Sequence, residues 1–393
     1  MAAAVRLAEA SVRATVFESG PVLGGRARRV LSQGTALDNG QHILIGAYAE
    51  LYRLMRTVGV QCSALLRLPL ELRYAHGFSF RRAPLPGSLG LAAGLLGARG
   101  LPFSERLRAV RFVSALKRRG FRLAHDLSVA ELLARHGQSG FTAHFLWRPL
   151  CVSALNTPPE LASANVFLAV LRDTLGGKPD ASDLLLPCVD LSRLFPEPAA
   201  QFVKRRGGEI RVKETVRDLR DLQSTFAAVI VAVAPHQLKA LLAEAPEYSY
   251  QPIYTCYLQY AETTRLPAPM LGLADGLVQW AFDRGRLLGE NGRIACVISA
   301  QGDHQQMENE ELAGRCHREL AAALPGLGQP LWSRVIAEKR ATVTSSPGRP
   351  AVALQPRRGV FLAGDYTDAE YPPTLEAAVR SGIRAANAVL EAS

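Results

Sequence analysis

The chain has 393 residues, 48% of them hydrophobic, and a formal net charge of +11. That size and apolar content can bury a large core and point to two domains or one large composite. Its six cysteines (Cys62, Cys151, Cys188, Cys256, Cys296, Cys316) are scattered with neither a C-x-x-C nor a metal spacing, which sets aside a metal centre and fits a reducing cytosol. No signal peptide is expected ahead of the body, and no apolar run reaches the roughly 18 residues that span a bilayer.

Taken in chain order, Met1 to Ala10 reads as a helix already under way, and Val12 to Glu18 as a strand ending in an acid. The turn Leu23-Gly24-Gly25-Arg26 follows, and then a helix over Ala47 to Thr57. Leu85 to Phe103 is apolar, glycine-rich and too short to span a membrane. Next to it, Glu105 to Arg122 holds seven basic residues (Arg106, Arg108, Arg111, Lys117, Arg118, Arg119, Arg122) against one acid. A helix over Pro198 to Arg206 leads through two strands to Ala227–Ala234, a continuous apolar run of the buried parallel kind. Strand-like runs recur at Ile253–Tyr260 and Ile294–Ser299. The chain ends with a strand over Val360 to Ala363, the pair Gly364-Asp365, a proline-punctuated turn and a helix over Leu375 to Leu390. The pattern divides into a discontinuous cofactor body (1–72, 196–238, 340–393) and a second body (73–195, 239–339).

The two strand ends carry the chemistry. A glycine and a carboxylate delivered beside a fresh helix N-terminus suit phosphate and sugar hydroxyls, because glycine lets backbone N–H groups approach and the acid accepts from hydroxyls. Glu18 fits the ribose acid of a dinucleotide fold; its plainer reading is a solvated strand-end acid. The order of parts resembles an FAD site rather than an NAD site. In such a fold the first strand and a Gly-x-Gly-x-x-Gly loop precede the first helix, which would put them just before Met1. An annotated start placed too late is favoured over a truncated product. The chain as written is expected to hold FAD weakly, and one extended upstream to hold it firmly.

Together Glu18, Leu23-Gly24-Gly25-Arg26 and Gly364-Asp365 resemble the flavin amine oxidase and phytoene desaturase superfamily. More narrowly, Leu37–Tyr48, Trp147–Pro159, Val166–Gly177, Ser182–Pro187, Asp190–Pro198 and Glu338–Thr342 look like blocks of the hydroxysqualene dehydroxylases. The resemblance covers nearly the whole chain. It implies an α/β fold: a Rossmann-like FAD-binding domain, lacking its first strand, interleaved with an α+β substrate domain. It also implies reductive removal of an allylic hydroxyl from a C30 isoprenoid lipid, in hopanoid or isoprenoid synthesis.

Carried over residue by residue, Glu18 meets the adenosine ribose, Gly24 and Gly25 admit the backbone, and Arg26 offers a planar fork to pyrophosphate. Arg28 and Arg29 read as ordinary surface charge. Val216 matches a position whose backbone contacts adenine, or is a plain core valine. Gly40, Gln41 and His42 match a loop that reaches the flavin ring. His42 is the one weak catalytic candidate, set against a hydrogen-bonded structural histidine. Gly364 and Asp365 would hold phosphate and ribitol, and Thr374-Leu375 would aim a helix N-terminus at the flavin N1/O2 edge. Tyr366, Tyr371, Trp147 and Phe145 are candidates for an aromatic wall beside an allylic cation.

The apolar segment and basic helix suit a protein lying on an anionic membrane face, peripheral on the cytoplasmic side, or else a core helix followed by a solvated one. Neither nucleic acid nor a metal is expected as a partner. No second Gly-rich fingerprint appears, so reducing equivalents are expected to reach the flavin without a dedicated NAD(P)H domain. A carotenoid desaturase, an amine oxidase, or a non-catalytic membrane-associated scaffold are the competing readings.

Overall fold

The computed structural model describes residues 1–393 apart from Pro86, Gly176, Gly177, Pro179 and Ser393. The ends of the Leu85–Phe103 and Val166–Gly177 readings that fall on those residues lie outside the description. Strands are numbered β1 to β16 along the chain.

Two parallel pairs build the first body. β1 (Thr15–Glu18) pairs with β9 (Glu209–Val212), and β10 (Val229–Val231) pairs with β16 (Val360–Leu362). The sequence led us to expect one long buried strand over Ala227–Ala234; only three of those residues are strand. The reason lies in its neighbours. Every residue from Phe226 to Ala234 lines one large cavity, and so does every residue from Val12 to Gly20. A strand shows both of its alternating side-chain sets to a single space only along its edge. So β1 and β10 each turn an edge to that cavity, and no ladder forms between the two pairs.

Helices close this body. Ala2–Glu9 lies against the last helix, Leu375–Ala392, so closely that a Cβ on Gly382 would stand 3.1 Å from the Ala2 Cβ. Arg6 donates across the contact to Asn387 at 2.8 Å. Helices Ala49–Thr57 and Pro196–Arg205 start and end within two residues of their expected bounds.

The second body is a five-stranded antiparallel sheet with helices on both faces. Its order is β12 (Met270–Gly272), β13 (Trp280–Asp283), β14 (Arg293–Ser299), β11 (Tyr250–Gln259), β15 (Trp332–Val343). One alternating set (Tyr254, Cys256, Leu258, Cys296, Ile298) packs under the helix Asn309–Ala323 through Leu312, Cys316 and Leu320. The other set (Tyr257, Phe282, Ala295, Val297) faces the helical core. Burial on both faces explains why these strands read as unbroken apolar runs. β15 runs through the expected boundary at 339.

Short ladders join the bodies. β2 (Arg29–Ser32) and β3 (Thr35–Asp38) form a hairpin, as do β6 (Glu71–Arg73) and β7 (Ser79–Arg81). β8 (Leu184–Pro187) lies between β4 (Leu44–Ile45) and β5 (Leu65–Leu68). The helical part contains Gly87–Leu96, Phe103–Arg118, Val129–Arg135, Arg148–Leu155 and Ala164–Leu175. Asn156 ends one of these helices in the left-handed region at φ 46°, which asparagine tolerates better than most residues. Its amide donates to the Gln251 and Pro252 carbonyls and to Thr342 Oγ1, and accepts from the Ala300 N–H at 2.8 Å. The Asn156-Thr-Pro-Pro block is therefore a clamp between helices and sheet.

The most buried arginine among the described residues is Arg284, 1% exposed. It donates to Asp38 Oδ2 at 2.8 Å, to both Glu290 oxygens at 2.8 and 3.1 Å, and to Gln41 Oε1 at 3.1 Å. Asp38 Oδ1 accepts from the Leu191 N–H at 2.9 Å. Removing one partner of a buried pair strands the other charge, at a cost of about 3–5 kcal/mol. Arg284→Met should therefore lower the urea midpoint sharply, and adding Asp38→Asn should recover part of the loss. A single variant as stable as the parent in equilibrium denaturation would show that this network is not structural.

Candidate active site

One cavity of about 1630 Å³ receives every cofactor residue expected from the sequence: Glu18, Gly24, Gly25, Arg26, Gly40, Gln41, His42, Val216, Gly364, Asp365, Thr374 and Leu375. These come from segments more than three hundred residues apart, so the fold and not the spacing assembles them.

At the β1 end, Glu18 accepts from the Gly20 N–H at 2.7 Å, which turns the chain sharply after the strand. Gly24 sits at φ 112°, and a Cβ there would lie 2.5 Å from the Ala27 carbonyl oxygen; only glycine fits. A Cβ on Gly25 would meet nothing within 4 Å. The backbone beside it is open to a ligand. Met1 to Ala4 also line the cavity, placing the positive end of the first helix there.

Arg26 does not stand as a free fork. It donates to Asp365 Oδ1 at 2.6 Å and to the Ala341 carbonyl oxygen. Burial works against its charge, but Asp365 and then Glu338 outweigh that and hold its pKa above the ordinary value. The cation expected at pyrophosphate and the acid expected at ribitol are thus partners. Arg29 pairs with Asp190 and Glu197 at 3.0 and 3.2 Å, and Arg28 bonds the Gly25 carbonyl oxygen.

The Asn39–His42 loop is held from several sides. Asn39 donates to the Arg26 carbonyl oxygen at 3.0 Å and to Glu338 at 3.2 Å. Gln41 takes a hydrogen bond from Arg284, and Gly40 turns at φ 92°. His42 has its Nδ1 buried without a partner. Burial pushes its pKa below the usual value against the opposing pull of Asp38 and Gly40, and Arg26 adds to the depression. It is therefore neutral at neutral pH: a poor proton donor, but a good hydrogen-bonding group for a ligand.

At the other strand end, a Cβ on Gly364 would strike the Tyr366 ring at 2.3 Å. Ser381 Oγ accepts from the Gly364 N–H at 2.8 Å. Thr374 caps the last helix by accepting from the Ala377 N–H at 3.2 Å. Val216 lies among the apolar neighbours of β10 and β16 and reaches the same cavity. The unpartnered His42 Nδ1, Ser182 Oγ and Tyr366 hydroxyl all belong to cavity residues. Together with the open backbone at Gly25, they fit a bound dinucleotide such as FAD.

Beyond that region the wall is carbon: Leu72, Phe80, Leu91, Leu150, Val170 and Met270. Trp147 and Trp280 line it too, each with its indole N–H engaged at 2.9 Å, by Gln138 and Ser153. Tyr366 and Tyr371 join them, whereas Phe145 does not; it stacks on Phe78 at 5.2 Å outside the lining. Sequence reasoning missed Trp280, whose only signal was an aromatic run ending in Asp283. It also missed Glu376, fully buried, which accepts from the N–H groups of Glu50 and Leu51 and so caps a second helix.

A family model described as flavin containing amine oxidoreductase matches residues 1–390. The chain is 28% identical to a hydroxysqualene dehydroxylase of Zymomonas mobilis, over 100% of this chain and 97% of that one. It is 27% identical to another from Sinorhizobium fredii, over 99% and 95%. A zeta-carotene desaturase of Synechocystis is 22% identical over 99% and 95%. Among solved structures, an oxidoreductase from Methanosarcina mazei superposes with a TM-score of 0.71 at 15% identity, covering 99% of this chain and 97% of that one.

Two measurements follow from this geometry. In the protein extended upstream of Met1, Asp365→Ala should leave the protein soluble and lower its FAD occupancy after dialysis. One charge-assisted hydrogen bond is worth roughly 1.5–3 kcal/mol, a tenfold or greater loss of affinity. Unchanged flavin absorbance would remove Asp365 from the site. His42 gives a pH signature. Below its ordinary value of 6.5, the unfolded imidazole takes a proton that the buried one refuses, so stability should fall as pH drops from there. His42→Gln should make the loss of unfolding free energy between pH 7.5 and 5.5 smaller, by at most about 1.4 kcal/mol per pH unit. Parallel profiles for parent and variant would contradict a buried neutral His42.

Proposed function

The chain belongs to the flavin-containing amine oxidoreductases and is an FAD-dependent oxidoreductase, and from that premise we propose that it reductively dehydroxylates hydroxysqualene to squalene. The observation that carries the reading is the continuity of one cavity from the Gly364-Asp365 end to a wall of leucine, phenylalanine and indole. A C30 hydrocarbon chain needs such a wall, with its single hydroxyl directed to the polar end. The names of two full-length relatives point the same way.

Held in reduced form by the Gly24–Arg26 turn, the Gly40–His42 loop and Gly364-Asp365, a flavin would supply the hydride for the carbon whose C–O bond breaks, the oxygen leaving as water once protonated. The chain's own groups do the rest. The Arg284-braced loop fixes Gln41 and His42 at the polar end. Neutral His42 adds no positive charge where a cation develops. Tyr366, kept protonated by burial, packs against Gly364 at the cofactor end of the cavity. Trp147 and Trp280 present rings rather than polar edges to the hydrocarbon, which favours a cationic carbon and excludes water.

The test is product analysis with FAD-loaded protein, chemically reduced under nitrogen and given hydroxysqualene. Squalene, with one flavin oxidised per hydroxyl lost, is the expected result. Conjugated polyenes from a saturated precursor would assign a desaturase, which the 22% identical carotene desaturase keeps as the second reading. Peroxide with an aldehyde from an amine would assign an amine oxidase.

A further inference from the structure

The helix Gly87–Leu96 has two faces with different company. Leu91 and Leu95 are buried, and Leu91 lines the cavity. Leu89, 65% exposed, and Leu96, 39% exposed, point to solvent. Leu85 before the helix, Phe103 after it and Phe141 nearby are also exposed. Hydrogen bonds make these one patch. Arg106 donates to the Leu96 and Leu101 carbonyls at 3.0 and 2.9 Å, folding the end of the first helix onto the start of Phe103–Arg118. Glu105 accepts from Thr142 N–H and hydroxyl at 2.7 and 2.8 Å, placing Phe141 over that same start. From Phe141 a series of rings (Phe145, Phe78, Tyr74) runs inward to Trp280 in the cavity wall.

Along the helix Phe103–Arg118 beside the patch the exposed charge is of one sign. Arg108, Arg111 and Arg118 flank a shallow groove on the outer side of Phe103–Arg118. Glu105, the one acid in that helix, is buried and engaged. Arg111 and Arg118 form no ion pair among the described residues. No helix among those residues is long and apolar enough to cross a membrane. Exposed leucines and phenylalanines bordered by arginines match the depth profile of a bilayer surface, apolar below and anionic above.

We propose that this patch seats on an anionic lipid bilayer and that the Gly87–Leu96 helix is the partition through which an apolar substrate passes from the acyl region to the cavity. The inference rests on the reading of the substrate as a membrane-borne lipid. Seating needs no insertion beyond the exposed side chains. The arginines hold phosphate-bearing headgroups while Leu89, Leu96 and Phe103 enter the acyl boundary.

Flotation of the FAD-loaded protein with vesicles tests it. Binding is expected with phosphatidylglycerol mixed into phosphatidylcholine, weaker with phosphatidylcholine alone, and reduced by salt. Leu89→Asp with Phe103→Asp, or Arg111→Glu with Arg118→Glu, should lower partition about tenfold or more while leaving the circular dichroism spectrum unchanged. With hydroxysqualene in vesicles the Asp variant should turn over slowly, and in detergent micelles at the parent rate. Flotation reads independently of turnover, so an inactive protein that still binds separates the two proposals. Variants that float as well as the parent overturn the docking face. So does a patch that instead drives self-association, with mass in solution rising with concentration and falling on Leu89→Asp.

Discussion

The charge on Arg284 is the constraint around which the site is arranged. A guanidinium out of water is tolerated only with its donors engaged. Glu290 engages it locally, and Asp38 and Gln41 reach it from more than two hundred residues earlier in the chain. Asp38 spends its second oxygen on Leu191 N–H, and its carbonyl oxygen accepts from Tyr257 at 3.0 Å. One buried charge thereby ties the β3 hairpin, the antiparallel sheet and the Asp190–Pro198 segment to a common point. The Asn39–His42 loop leaves directly from it, so that loop inherits its position from a buried charge network of which Gln41 is itself a member.

The polar end of the cavity shows a second economy: its groups serve structure and binding at once. Arg26 and Asp365 pair across the two sequence ends, and Glu376 caps the helix at Ala49 from the turn after Thr374. Arg6 and Asn387 add a third bridge between the same regions. The terminal segments are therefore folded against one another before any cofactor is considered, and a ligand entering there exchanges partners instead of ordering a loose loop.

Much of this was legible in the sequence because local chemistry forced it. Gly24 and Gly364 stand where a side chain would collide with a carbonyl or a ring, and an acid at a strand end or a threonine at a helix start has few other uses. What stayed hidden depended on distant partners. The run Ala227–Ala234 reads as a central strand, yet a strand extends only as far as its neighbours do, and here one neighbour ends at Leu362. Arg26 reads as a ligand group, but nothing in Gly-Gly-Arg announces Asp365. Phe145 and Trp147 look equally apt for an aromatic wall; both lie on a widened helical turn over Ala143–Trp147, and only Trp147 lines the cavity.

The sulfur positions carry a practical corollary. Cys62 is exposed, while Cys256 and Cys296 sit opposite one another on β11 and β14, under Cys316 of the overlying helix. A thiol reagent added to the native protein meets Cys62 first. The other three become reactive only when the helix Asn309–Ala323 lifts from the sheet. Timed alkylation followed by peptide mass mapping would thus read the opening of this layer separately from that of the β4–β8–β5 ladder, beside which Cys188 is only partly covered and should label earlier. The molecule holds its own graded reporters of local loosening, placed by packing alone.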